Sequence, residues 1–275
     1  MRVLIVSKAC LVGIYQRKLE EIAGHHDVEL LVVVPPSWRD ERGVTPLERA
    51  HTTGYDLVVD PLVFNGSFHL HFYPHLGRRI HAFRPDLVHL DEEPYNLATF
   101  HGMLLTRRAG CRALWFTWQN LRRRYPPPFS LFERYCLRYA DAAIAGSRTA
   151  ALVWRAKGYA GPLAVIPQFG VDPHTFAPSA RRESHCAFTV GFAGRLVAEK
   201  GADLLLSAAA GLDRLRVEIL GSGPLRTDLE SLAEELGLTG RIAFRGRLPS
   251  TRMPEFYAGL DALVLPSRSR PNWVE

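Results

Sequence analysis

Gly191-Phe192-Ala193-Gly194-Arg195-Leu196-Val197-Ala198-Glu199-Lys200-Gly201 follows a hydrophobic run that begins at Phe188 and opens onto a helical pattern over Ala202–Leu212. A strand, a glycine-bearing loop and a helix start, in that order, make a place for phosphate. The free N–H groups of a helix N-terminus face an anion, and the helix dipole favours negative charge. Arg195 and Lys200 bracket the loop, so the guest it suits is a diphosphate and the chemistry it suits is departure of a diphosphate. The plainer alternative is two solvated charges on a strand-to-helix loop, which taken alone would signify little.

Outward from this stretch, short apolar runs alternate with helical patterns, as parallel sheets with crossover helices require. Before it, strands are predicted at Val3–Val6, Val28–Val34, Leu57–Val59, Leu87–Leu90, Ala113–Thr117, Ala142–Ala145 and Leu163–Ile166. Helices are predicted at Tyr15–Ala23, His71–Phe83, Tyr95–Ala109, Phe129–Ala140 and Ser147–Lys157. From Thr189 the pattern restarts, with strands at Thr189–Phe192, Arg216–Leu220, Ile242–Arg245 and Ala262–Leu265. Helices at Leu225–Leu236 and Met253–Gly259 separate the later strands. The polar, proline-marked segment from Asp172 onward reads as the join. The expected division is a domain over 1–178, a linker over 179–186 and a partial domain over 187–275.

With 47% hydrophobic and 23% charged residues, the 275-residue chain has the composition of an ordinary globular enzyme. The net charge of +6 suits a polyanionic ligand or an anionic membrane surface. No nucleic-acid-binding signature accompanies it, so nucleic acid is not expected. Cys10, Cys111, Cys136 and Cys186 lack CxxC spacing and read as free thiols in a reducing compartment. The apolar run at Met1–Val6 is too short for a signal peptide, and no stretch approaches the ~20 apolar residues of a spanning helix. The expected location is the cytoplasm, with a peripheral seat on the inner face of the membrane left open.

GRLVAEKG (Gly194–Gly201) also resembles the donor-binding loop of retaining glycosyltransferases of the GT-B fold, family 4. The resemblance continues in order through ILGSGPLRTDLESLAEELGL (Ile219–Leu238) and RIAFRGRLPSTRMPEFYAGLDALVLPSR (Arg241–Arg268) to Glu275; it is weaker ahead of Ile166. It implies an α/β architecture of two Rossmann-like doubly wound domains, the second incomplete in this sequence. Relatives carry further strands and a helix that crosses back to the first domain, so a C-terminally truncated sequence is expected, itself inactive, with Ala262–Leu265 poorly covered.

What the resemblance implies for the site is specific. Arg195 and Lys200 would bind the donor diphosphate and stabilise its departing charge. Glu275 falls where the first of two family glutamates contacts the hydroxyls of the transferred sugar, a task that suits a carboxylate accepting charge-assisted hydrogen bonds. The second glutamate would fall beyond the sequence. Gly194, Gly221, Gly223 and Gly246 would supply backbone turns at the donor, with Arg247 and Leu248 near its base. The third glycine of a dinucleotide fingerprint would fall at Arg226, so that motif is not met. Gly13, in Lys8–Gly13, takes the place of a flexible loop facing both substrates, or else of a plain connection.

For the acceptor the candidates are Glu92, Glu93, Gln119 and Asn120, at the ends of two predicted strands, where open α/β sheets bind ligands. Alternatively, Asp91 or Glu92 caps the following helix, with Pro94 in its first turn. Gln119 stands where many relatives have histidine; it can bond a sugar but cannot shuttle protons. Trp118 could stack on a sugar or fill the core, and the core reading is preferred. The basic loop Arg122–Arg124 before Pro126–Pro128 suits either anionic lipid or water. His69, His71 and His75 lack partners at zinc spacing, and no metal is expected. The implied reaction moves a sugar from a UDP- or GDP-linked donor to a saccharide or lipid-linked acceptor, with no cofactor.

Overall fold

The computed structural model describes residues 1–41, 43–177 and 187–269. The chain forms two compact units, Met1–Asp40 with Val44–Gly170, and Glu41–Gly43 with Val171–Glu275. The linker expected at 179–186 lies outside the described residues, except that the division itself falls earlier, after Gly170.

In the first unit the strands in chain order are β1 (Arg2–Val6), β2 (Glu29–Val34), β3 (Ser37–Asp40), β4 (Gly43–Pro46), β5 (Asp56–Val59), β6 (Leu87–Leu90), β7 (Arg112–Thr117), β8 (Ala142–Ala145) and β9 (Leu163–Val165). Its helices are α1 (Arg17–Ala23), α2 (Leu76–Phe83), α3 (Leu97–Arg108), α4 (Phe129–Tyr139) and α5 (Arg148–Ala156). Seven strands form one parallel sheet in the order β5-β2-β1-β6-β7-β8-β9, while β3 and β4 pair separately. Period-two alternation along β1 sends Leu4 and Val6 to one core, and Val3 and Ile5 to another on the opposite face. Both faces are therefore buried, as a parallel sheet with helices on two sides demands.

Two predicted helices begin later than their patterns. Pro74 disfavours helical backbone at Tyr73, so α2 starts at Leu76 rather than His71. α3 starts at Leu97 rather than Tyr95, with Asn96 in extended backbone as its N-cap. Neither Asp91 nor Glu92 caps that helix, which settles the capping alternative against both.

In the second unit β10 (Phe188–Ala193), α6 (Ala202–Ala209), β11 (Leu215–Leu220), α7 (Arg226–Glu235), β12 (Ile242–Gly246), α8 (Met253–Ala258) and β13 (Ala262–Leu263) build a parallel sheet ordered β12-β11-β10-β13. One sheet face packs Val190, Phe192, Val217 and Ile219 against α6 and α7. The other carries Thr189, Arg216, Glu218 and Arg245, with Arg245 donating to both oxygens of Glu218 across neighbouring strands. The last strand is two residues long, and Leu263 and Leu265 are largely exposed.

Candidate active site

Strand order reverses between β1 and β6 in the first unit, and between β10 and β13 in the second. Such switch points open a crevice at the carboxyl ends of the strands, because the flanking connections leave to opposite faces. Chemistry-bearing residues gather at both.

At the first switch point Ser7 follows β1 and Asp91 follows β6. The Ser7 hydroxyl donates to Asp91 Oδ2 at 2.7 Å, Lys18 Nζ lies 3.1 Å from the same oxygen, and Gln168 Nε2 donates to Oδ1 at 2.9 Å. Burial pushes the Asp91 carboxyl up, but Lys18, His89, Ser7 and Gln168 together pull it below the ordinary range. Burial drives neighbouring His89 down to about 4, so it stands neutral at pH 7. Asp91 is thus a saturated internal anchor. Glu92 differs. Lys8 Nζ stands 3.6 Å from Oε2 and His71 Nε2 3.6 Å from Oε1, too long for hydrogen bonds. Burial raises its carboxyl, and Lys8 with His71 lower it by more.

Glu93 turns inward. Thr117 donates to Oε2 at 2.6 Å and the Trp118 N–H to Oε1 at 2.7 Å. Thr117 in turn accepts from the Trp154 indole at 2.8 Å and the Gln119 N–H at 3.0 Å. Burial nevertheless pushes Glu93 up to about 7. Both Glu93 oxygens therefore serve to shape the Thr117–Gln119 turn. Gln119 donates to Leu121 O at 2.8 Å, which leaves its buried Oε1 as the group without a partner. Asn120 follows in a half-buried position.

Trp118 is a correction to the core reading, since 46% of it is exposed. Its ring lies against Gly146, where a Cβ would come within 2.4 Å, and its indole N–H donates to Gln168 Oε1 at 2.6 Å. Alternation explains the outcome: β7 ends at Thr117, so the next side chain is free to leave the sheet. Trp118, Gln168 and Asp91 thereby form one connected chain. The sequence carried no signal for Gln168, which lies past the last strand.

The Lys8–Gly13 segment is not an open loop. It folds as 3-10 turns at Ala9–Leu11 and Gly13–Gln16. The Gly13 N–H donates to Glu48 Oε2 at 2.8 Å, and a Cβ there would lie 2.9 Å from Ala50. Buried Gln16 ties the turns down by donating to Cys10 O and Glu48 O. Gly13 is needed for packing here, and its N–H is already engaged.

In the second unit the Gly194–Lys200 loop leaves β10 and enters α6 through a 3-10 turn at Ala198–Lys200. Gly201 sits at φ +66, with Pro266 O only 2.2 Å from where a Cβ would stand. The loop is pressed onto the turn after β11. A Cβ on Gly221 (φ +145) would fall 1.8 Å from Gly194 O, and one on Gly223 would fall 2.4 Å from Leu196 O. Backbone bonds lock the two together: Gly194 N to Leu220 O, Leu196 N to Ser222 O and Leu225 N to Leu196 O. These glycines thus support the loop from behind. Gly246 (φ +68) continues the arrangement by accepting from the Gly221 N–H at 2.7 Å. Arg247 is exposed after it.

Arg195 donates to Glu41, which belongs with the same unit. Arg268 was not foreseen. Its guanidinium grips Asp203, in the first turn of α6, at 2.8 and 2.6 Å, and also donates to Ala198 O. The segment after β13 therefore braces the loop that carries Lys200. A cavity of about 660 Å³ opens on the charged sheet face, lined by Arg216, Glu218, Arg245, Leu248 and α8; it includes neither Arg195 nor Lys200. Glu275 and Cys186 lie outside the described residues. Among the described residues no group of three or more His, Cys, Asp or Glu is placed to hold a metal, and no helix is long and apolar enough to cross a membrane.

Comparison with known proteins gives this geometry its class. The family model described as "Glycosyl transferase 4-like domain" matches residues 16–168, and that described as "Glycosyl transferases group 1" matches residues 179–275. The chain belongs to this glycosyltransferase family, and its parallel α/β units have the GT-B fold. Among curated relatives, a 2-deoxystreptamine glucosyltransferase of Streptomyces kanamyceticus is 29% identical over 203 residues, covering 66% of this chain and 52% of that protein. A D-inositol 3-phosphate glycosyltransferase of Mycobacterium leprae is 30% identical over 158 residues, covering 52% of this chain and 37% of the relative. The chain thus spans about half or less of the length of these relatives. Among solved structures, Anabaena HepE in complex with UDP shares the fold at a TM-score of 0.67 and 17% identity, covering 98% of this chain and 75% of HepE. A UDP-N-acetylglucosamine 2-epimerase does so at 0.60 and 13%, covering 96% and 73%.

Proposed function

We propose that the protein transfers a hexosyl group from a UDP- or GDP-linked sugar to a saccharide or lipid-linked acceptor, with retention of configuration, in bacterial polysaccharide or glycan synthesis. The observation that carries this reading is the Gly194–Lys200 loop, set at a strand switch point and held rigid against Gly221–Gly223. As the glycosidic bond loosens, negative charge builds on the departing diphosphate. Arg195 and Lys200 would stabilise that charge more than they stabilise the bound donor, which is what lowers a barrier. They supply the positive charge that a divalent metal supplies elsewhere. A diphosphate competes with Glu41 for Arg195. HepE has been solved with UDP, with UDP and glucose and with UDP-glucose, which supports a uridine donor here.

On the first unit, the acceptor candidates Glu92 and Gln119 each keep a buried Oε1 without a hydrogen-bond partner, that of Glu92 facing His71 Nε2 at 3.6 Å. Glu93 contributes by shaping the turn on which Gln119 stands. The protein works in the cytoplasm, and exposed Arg122, Arg123 and Arg124 with exposed Leu131 suit a peripheral seat on anionic lipid.

Isothermal titration with UDP and GDP, in the presence of a chelator, tests the donor half. One nucleotide should bind, and Arg195→Ala and Lys200→Ala should each weaken it at least about tenfold, or about 1.4 kcal/mol. With an acceptor supplied, each should lower turnover by roughly two to three decades, as loss of an oxyanion donor does. Unchanged binding and turnover in both variants would overturn the assignment. Tight nucleotide binding with no transfer to any acceptor would make the chain a nucleotide-sugar binder instead.

A further inference from the structure

Of the described tryptophans, Trp115 and Trp154 are fully buried, Trp38 is half-buried and Trp118 is 46% exposed. Trp118 stands directly after β7, at the carboxyl edge of the first sheet. Although exposed, it is pinned at three places. Its backbone N–H donates to Glu93 Oε1 at 2.7 Å. Its six-membered ring lies on Gly146, where a Cβ would stand 2.4, 2.5 and 2.6 Å from Cε3, Cζ3 and Cδ2. Its indole N–H donates to Gln168 Oε1 at 2.6 Å.

The Gln168 amide has one usable orientation. Its nitrogen donates to Asp91 Oδ1 at 2.9 Å, and an ionised carboxylate only accepts, so the amide oxygen must face the indole. Asp91 is itself held by Ser7 and Lys18. The ring is thus fastened through a chain that ends on a buried carboxylate. Gly146 takes one face of the six-membered ring and the indole N–H is satisfied, so the surface the side chain offers outward is aromatic carbon. Hydrophobic burial alone would turn such a ring inward; the hydrogen bond and the glycine shelf hold it out.

A pyranose matches that surface. Its ring gathers C–H groups on one face and hydroxyls around the rim. The C–H face can lie on the electron-rich face of an indole while the hydroxyls reach polar groups beside it. One such group stands on the same turn: the half-buried Asn120, whose side-chain amide makes no hydrogen bond among the described residues. Because the ring is already immobilised, stacking on it costs little further side-chain entropy. We propose that Trp118 is a preformed stacking platform for a pyranose ring of the acceptor, which is therefore a saccharide with a C–H face to present there. Its assignment to the acceptor rests on the function proposed above; its affinity for a pyranose does not.

The test is NMR of the whole chain labelled with 15N-tryptophan. It is titrated with the methyl pyranosides of glucose, galactose and mannose, and with sorbitol, which has the hydroxyls without the ring. The Trp118 indole signal is assigned by its loss in W118F. At least one pyranoside should shift it saturably; sorbitol should not. The buried Trp115 and Trp154 signals should stay in place, and they report that each variant is folded. W118L keeps apolar bulk but removes the aromatic face, and should weaken that pyranoside at least about tenfold, read by saturation transfer to the sugar's ring protons. G146A leaves the indole in the chain but puts a methyl group in its seat, and should weaken binding by a similar factor. Gly146 is not in the left-handed region, so backbone strain does not account for that loss. No shift with any pyranoside, an equal shift with sorbitol, or unchanged affinity in W118L or G146A would overturn the proposal. UDP and GDP are titrated into the same sample. Nucleotide binding without a pyranoside shift would overturn the platform alone, and a Trp118 shift with nucleotide only would assign the ring to a base and overturn it too. A pyranoside shift without nucleotide binding would keep the platform and overturn the donor reading.

Discussion

Asp91→Asn isolates the anchor of the first unit. The substitution keeps size and removes charge, so it strands Lys18 and opposes the Gln168 amide to a new donor. Removing one partner of a buried ion pair costs about 3–5 kcal/mol. Lys18 is 19% exposed at its side chain and can turn toward water, which puts the loss at the lower end. The mismatch at Gln168 adds about 1 kcal/mol, for a total of about 4 kcal/mol. That corresponds to roughly 10 °C in the unfolding midpoint of a unit this size. Urea titration followed by far-UV circular dichroism at pH 7 reads it directly. The sign with pH is fixed. The Asp91 carboxyl lies below its ordinary value, so its contribution is complete above about pH 4 and is lost as pH falls through the folded pKa. The gap between variant and wild type must therefore narrow in acid. Lys18→Met in the Asp91→Asn background should recover part of the loss, because it removes the stranded charge. A loss under about 1 kcal/mol, or strict additivity with Lys18→Met, would refute the anchor.

Glu93 behaves in the opposite sense: its carboxyl is raised from 4.5 to about 7, so the folded state holds a proton the unfolded state has released. Wild-type stability should fall between pH 4.5 and 7 by about 3 kcal/mol, a slope that Glu93→Gln lacks; parallel urea midpoints for the two proteins across that range would contradict this. Gly221→Ala must move Gly194 and adopt a strained φ, at a cost of about 3 kcal/mol or more together with loss of UDP or GDP affinity. Gly211→Ala, with open space around it, should stay within about 1 kcal/mol and bind normally. Trp118→Phe should cost about 1 kcal/mol and Gln168→Leu about 2–3 kcal/mol, because the latter also removes the hydrogen bond to Asp91, and the double variant should cost little more than Gln168→Leu alone; full additivity in a double-mutant cycle would mean that the Trp118–Gln168 bond contributes nothing.

The strand-and-helix order of both units was legible in the sequence because it rests on local signals: the period of two and the glycine loop after β10. β3 and β4 escaped notice, since Ser37–Asp40 and Gly43–Pro46 carry no apolar alternation. The cations Arg195 and Lys200 could be named from their spacing around the loop. Among Asp91, Glu92 and Glu93 the sequence offered Glu92 and Glu93 for the acceptor and Asp91 or Glu92 for a helix cap. Only tertiary structure separates them, because their partners come from far along the chain: Ser7 is 84 residues from Asp91, Gln168 is 77 away, and Trp118 is 25 from Glu93. Arg268 was invisible as a functional residue for the same reason. A side chain's charge state and its freedom to bind depend on which groups folding brings within about 3 Å, and local periodicity carries no record of that.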